Sequence, residues 1–220
     1  MSRILYDLAA ADEHIRFSPF CWRAKLALMH KELAFETRPW RYCEKDRIAF
    51  SGQGKVPVLV DGDTTVSDSW AIAIHLEQTY PDNPLFPGGS AQAQTLFFKL
   101  WCEQTLHPLV LRTVMKDLFA VLHPDDQPYW RRTREERFGC TLEEAALSAE
   151  EGVSRINQAL EPVRPVLSRH DFLDGEAPGF ADHLLLAVFQ WAGAVSSLSL
   201  VAADDVVHRW FGTMRARYGL

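Results

Sequence analysis

Several ingredients are scarce in this sequence. Its four cysteines (Cys21, Cys43, Cys102 and Cys140) stand far apart with no CxxC pair, and none of its eight histidines belongs to an HExxH motif. That spacing indicates neither a disulfide framework nor a metal site. No apolar run approaches the length of a membrane span, and Asp7 interrupts the short apolar stretch after Arg3, so no secretory leader is expected. Basic residues are outnumbered: 23 lysines and arginines against 29 aspartates and glutamates give a net charge of -6, the wrong sign for phosphate backbones. Arg131, Arg132, Arg134 and Arg137 do cluster, but Glu135 and Glu136 sit among them, which reads as a solvated helix face. Repeats and low-complexity tracts are also missing. The expectation is a soluble cytoplasmic protein with no nucleic-acid or membrane partner; at 220 residues, 47% hydrophobic and 24% charged, it can bury a sizeable core.

What is present divides at a proline- and glycine-dense stretch, Pro81-Asp82-Asn83-Pro84-Leu85-Phe86-Pro87-Gly88-Gly89, which cannot continue a helix. Before it, strands are expected at 4–8, 34–38, 56–60 and 64–66, with Asp61-Gly62-Asp63 as a hairpin signal between the last two. Helices are expected at 19–30 and 69–80. After it, everything reads as helical: 91–122 with a bend at Pro108, a helix from the capping box Thr141-Leu142-Glu143-Glu144 towards Leu160, the strongly apolar 180–195, and an amphipathic 204–218.

Three segments carry chemistry. Ser18 precedes Pro19 at the start of the first helix, the pairing of an N-cap serine with proline at the first helical position. Cys21 follows three residues later, the spacing of a thioredoxin-type redox pair with serine in place of the first cysteine, which argues against dithiol exchange. Lys55-Val56-Pro57-Val58-Leu59 opens a strand, and Asp68-Ser69 caps the helix after the hairpin. Each segment alone has an ordinary structural explanation.

All three, in that order, resemble the glutathione transferase family. The resemblance implies an α+β thioredoxin-like domain over 1–80, a linker over 81–89 and an all-α domain over 90–220 that contributes a hydrophobic substrate site. It implies glutathione as cosubstrate, with Ser18 as the catalytic residue holding the glutathione sulfur as thiolate at a helix N-terminus. The implied glutathione site comprises Phe20, Gln53, Lys55, Val56, Pro57, Asp68 and Ser69: a cis Val56-Pro57 bond exposing the Val56 backbone to the peptide, Lys55 or Gln53 reaching the glycine carboxylate, Ser69 the γ-glutamyl carboxylate, and Asp68 the α-ammonium. A homodimer and a hydrophobic, aromatic electrophile follow from the same likeness. The run Ser18 to Arg23, Tyr129-Trp130-Arg131 and Phe180-Ala181-Asp182 look like the bacterial β-etherase and fungal etherase-like subgroup, which points to β-aryl ether cleavage. Trp101, Met115, Phe119 and Trp130 are candidates for the aromatic wall. Two other classes stay open: a non-catalytic binder of glutathione or hydrophobic ligands, and a glutathione-dependent isomerase or thiol-exchange enzyme using Cys21. Gly179 stands at the cap of the central helix where the family usually has Ser, Thr or Asn, with Asp182 three residues on; both read as structural.

Overall fold

A computed structural model describes residues 2–220. Strand β1 (Arg3–Leu8) is the middle of the first unit, and α1 (Pro19–His30) carries the chain across to β2 (Glu36–Trp40), parallel to β1 with Leu5 opposite Thr37. A parallel neighbour requires such a crossover. Strands β3 (Val58–Asp61) and β4 (Thr64–Ser67) then form a hairpin, β3 antiparallel to β1 with Leu59 opposite Leu5, giving the sheet order β2-β1-β3-β4. Gly62 turns the hairpin at φ 59°, a conformation that favours glycine. Helix α2 (Ser69–Thr79) closes the unit. The second strand lies two residues later than expected, because Trp40 is the residue that fills the core, with its indole N–H on the Glu44 carbonyl at 2.8 Å. Pro39 is tolerated within β2 because this is an edge strand.

The stretch before the next helix is not free chain. Leu85 and Phe86 are buried, their amides donate to the Glu77 carboxylate (2.8 and 3.3 Å), and the Leu85 carbonyl accepts from Phe180. The all-helical remainder comprises α3 (Ala91–Trp101), α4 (His107–Thr113), α5 (Met115–Val121), α6 (Gln127–Phe138), α7 (Leu142–Ala145), α8 (Ala149–Ala159), α9 (Val163–Leu167), α10 (Phe180–Val195) and α11 (Val206–Tyr218). An α+β thioredoxin-like unit is thus followed by an all-α one. Helix α10 is the hub: thirteen of its sixteen residues are buried, and it packs on α1. No helix among the described residues is long and apolar enough to cross a membrane.

Two helical expectations need correction. The bend expected at Pro108 is instead a π-helical turn, Cys102–Leu106, joining α3 to α4, with the His107 amide on the Cys102 carbonyl. Proline has no N–H for the Gln104 carbonyl, and the wide turn lies directly before it. The actual break falls at Val114, whose φ and ψ (-99°, 13°) separate α4 from α5. The capping box at Thr141 and Glu144 is present, but the helix it starts stops after Ala145, because Ala146 is extended and the Leu147 amide donates to the Arg112 carbonyl. Ser148 then caps α8 through the Glu151 amide at 3.2 Å.

Candidate active site

Ser18 is the N-cap of α1, extended at φ -96° and ψ 120°, and its Oγ accepts from the Cys21 amide at 3.2 Å. Pro19 has no N–H, and the Trp22 amide donates to the Ser18 carbonyl, so the Phe20 N–H is the first-turn donor without a protein partner among the described residues. Such a donor, at the positive end of a twelve-residue helix, favours an anion. Ser18 is buried beside the Cys21 thiol, and its hydroxyl hydrogen can turn from that weak sulfur acceptor to a ligand.

Two adjoining cavities meet at Ser18. One, of about 410 Å³, reaches Lys55, Val56 and Tyr129; the other, of about 300 Å³, reaches His107, Leu111, Trp130 and Trp191. They share Leu8, Ser18, Phe20, Tyr42, Arg134 and Arg137. Ser18, Phe20, Lys55 and Val56 are therefore brought around one space. The Val56–Pro57 bond is cis, and the buried Pro57 offers its carbonyl to the Asp68 amide at 3.4 Å, tying the second segment to the third. Gln53, Asp68 and Ser69 do not line either cavity.

Asp68 sits at φ 77°, and its Oδ1 caps α2 through the amides of Trp70 and Ala71 (2.8 and 3.1 Å). A non-glycine residue in this region is uncommon. The turn aims the next residue inward: Ser69 is 1% exposed, and its Oγ has no hydrogen-bond partner. A buried hydroxyl left unpaired is costly, and a ligand acceptor or donor would satisfy it.

The floor of the smaller cavity is a buried polar relay. Arg23 is fully buried in α1; its guanidinium donates to Glu103 in the π turn (2.5 Å) and contacts the His107 ring (3.1 Å). Lys99 holds the other Glu103 oxygen at 2.9 Å. Burial works against the Glu103 charge, yet the bonds from Arg23 and Lys99 hold its carboxyl below the usual range. Burial, with the Arg23 and Arg137 charges nearby, drives His107 well below an ordinary imidazole, so its ring is neutral.

The structure favours the core reading of Cys21 and revises the expected aromatic wall and arginine face. Cys21 is fully buried and burial pushes its thiol pKa upward, with Asp7 adding to the effect, so it is a core residue and unsuited to a mixed disulfide. Of the four aromatic-wall candidates only Trp130 lines the cavity at Ser18. Trp101 stacks on Phe98 in another depression, and Met115 and Phe119 border a third beside Glu143. The wall is supplied instead by Tyr42, Phe17, His107 and Trp191. The arginine cluster also divides. Arg131 and Arg132 pair outward with Glu135, Glu143 and Glu136, as a solvated face should, whereas Arg134 and Arg137 border both cavities.

Residues 93–214 match the glutathione S-transferase C-terminal domain family and residues 14–84 the glutathione S-transferase N-terminal domain family. The chain belongs to the glutathione S-transferase family. Among similar proteins, the glutathione S-transferase-like protein ustS of Aspergillus flavus is 34% identical over 57% of the chain and 49% of its own length. Glutathione S-transferase 4 of Zea mays is 28% identical over 91% of the chain and 85% of its own length. The chain thus spans about half the length of the fungal relative. The crystal structure of glutathione transferase GSTFuA2 from Phanerochaete chrysosporium superposes with a TM-score of 0.86 at 25% identity, covering 99% of this chain and 98% of that one. Within this glutathione S-transferase fold, the Ser18 cavity lies where the sheet unit faces α4 and α6.

Proposed function

We propose that this protein is a glutathione transferase in which Ser18 donates a hydrogen bond to the glutathione sulfur and holds it as thiolate for attack on an aromatic electrophile. The observation that carries the reading is the Ser18 hydroxyl, an N-cap whose hydrogen can turn to a ligand at the mouth shared by two cavities. A hydrogen bond to the charged form, at the positive end of α1, lowers a thiol pKa. Glutathione occupies the Lys55 and Val56 side, with Val56 pairing through its backbone and Ser69 meeting the γ-glutamyl carboxylate. The electrophile occupies the aromatic side. In this reading residues 1–80 bind glutathione, residues 90–220 supply most of the substrate wall, and the protein acts as a cytoplasmic homodimer. Burial of Cys21 weighs against thiol exchange as the reaction.

The substrate class we favour is a β-aryl ether activated by a neighbouring ketone. The sulfur forms a C–S bond at the β carbon, the C–O bond breaks, and the phenolate leaves with the electron pair and takes up the proton lost by the thiol. Orientation and a ready thiolate are the main requirements. Phenol release from a simple β-aryl ether should depend on glutathione. It should fall by about 10- to 100-fold in Ser18→Ala, with the pH–rate profile moved upward, and stay nearly unchanged in Cys21→Ala. Turnover of aryl halides without ether cleavage would keep the transferase and remove the etherase. A larger loss in Cys21→Ala than in Ser18→Ala would overturn the role of Ser18.

A further inference from the structure

Trp130, Arg134 and Arg137 are spaced four and three apart, which places them on one face of α6, and that face borders the Ser18 cavity. Neither Arg134 nor Arg137 has a carboxylate within ion-pair distance among the described residues, although both neighbouring arginines do. The Arg134 guanidinium lies over two rings, 5.0 Å from the centre of Trp130 and 5.6 Å from that of Tyr42. It donates to the Thr133 hydroxyl at 2.8 Å and to the Tyr42 hydroxyl at 3.4 Å, leaving the rest of its fork free. The only acid lining the cavity among the described residues is Glu103, and its two oxygens are already taken by Arg23 and Lys99. The wall therefore carries two positive charges with no carboxylate in ion-pair distance among the described residues.

We propose that Arg134 and Arg137 form an anion site that selects aromatic electrophiles bearing a carboxylate; this rests on the transferase reading above. A planar guanidinium fork matches a carboxylate in geometry as well as charge, and the rings of Trp130, Tyr42 and Trp191 receive the aromatic body. At about 300 Å³ the cavity is at the small end for ligand sites, which suits a compact aromatic acid. Lys55 lines the adjoining cavity and not this one, so in the transferase reading the glycine carboxylate of glutathione has its own cation there.

The test compares an acid with its neutral ester. With glutathione present, wild-type protein should bind para-nitrobenzoate about tenfold more tightly than its methyl ester by titration calorimetry. Arg137→Gln should remove most of that preference, whereas Arg132→Gln, on the outward side of α6, should keep it. With para-chloro-meta-nitrobenzoate and its methyl ester as substrates, KM should give the same ranking, while kcat favours the ester because an ester withdraws electrons from the ring more strongly than a carboxylate. There the glutathione sulfur forms the new C–S bond, chloride leaves with the C–Cl electron pair, and the thiol proton passes to water. Equal affinity for acid and ester, with the ester still turned over, would overturn the anion site and leave the transferase reading standing. So would Arg137→Gln raising KM for glutathione while the acid-to-ester ratio holds, since the arginines would then serve glutathione itself. Preferential binding of the acid with no turnover of either compound would support the anion site alone, and the transferase reading would fall if glutathione-dependent phenol release from a β-aryl ether were absent as well.

Discussion

The starts of α1 and α10 use the same capping chemistry and leave it in opposite states. At α10 both oxygens of Asp182 are spent. The fully buried Asp182 carboxylate accepts from the amides of Leu173, Asp174 and Gly179 (2.9, 3.2 and 3.2 Å) and from the Trp210 indole (2.8 Å). Asp174 accepts from the Ala181 amide at 2.9 Å, doing what an N-cap side chain would do at position 179. A Cβ on Gly179 would overlap that carboxylate, which is why glycine stands there. At α1 the Ser18 hydroxyl can turn its hydrogen to a ligand and the Phe20 amide has no partner; at α2 Asp68 does the capping and leaves the buried Ser69 hydroxyl unpaired. A closed cap holds the fold together. An open one keeps capacity for a ligand, at a cost the closed ones help to offset.

The largest expected effect tests the closed side. Asp182→Asn keeps the shape but turns an amide NH₂ towards N–H donors, and should cost about 3 kcal/mol, a fall of roughly 6–12 °C in melting temperature. Glutathione affinity of the folded protein should be preserved, since Asp182 lies outside the cavity lining. Next comes Gly179→Ser. Serine is ordinarily the better cap, yet here it should destabilise by about 2 kcal/mol through overlap with Asp174, and the additional change Asp174→Ala should recover part of the loss. A stabilised Gly179→Ser protein would show that Asp174 is not the functional cap. Ser69→Ala has the smallest effect on the fold, within about 0.5 kcal/mol, because it removes a hydroxyl that bonds to nothing in the protein. Glutathione binding should nevertheless weaken by about tenfold in calorimetry. Unchanged affinity would erase the distinction between open and closed caps.

Local signals were readable wherever one residue type decides the backbone. Ser18-Pro19 sets the start of α1, Gly62 turns the hairpin, and the apolar run 180–195 is a helix with the expected ends. The early stop of α7 was also written in the chain, since Ser148 and Glu151 repeat the pattern of Thr141 and Glu144. The cavity wall was harder to read. An aromatic on a helical stripe looks the same whether it faces a core, a cleft or another depression, so Trp101, Met115 and Phe119 could not be told from Trp130 by spacing. Arg134 and Arg137 hid among acids that pair with Arg131 and Arg132. Only the angular position they share with Trp130 on α6 separates them, and its meaning depends on Ser18, more than a hundred residues away in sequence.

The π turn between α3 and α4 holds one residue more than an α turn would, so everything from His107 onward is rotated by about 100° around the helix axis relative to Phe97 and Leu100. Loss of a single codon within 102–106 would let the helix close into ordinary α geometry and swing that whole face. His107 and Leu111 would leave the cavity together and their neighbours would replace them. The sheet and the Ser18 cap lie outside the turn, whereas the contacts of His107 with Arg23 of α1 and with the Trp191 ring of α10 would be lost with that face. One frame-preserving deletion is thus a heritable switch of wall composition, and it gives a lineage a one-step route to new substrates that point mutations could match only by several coordinated changes.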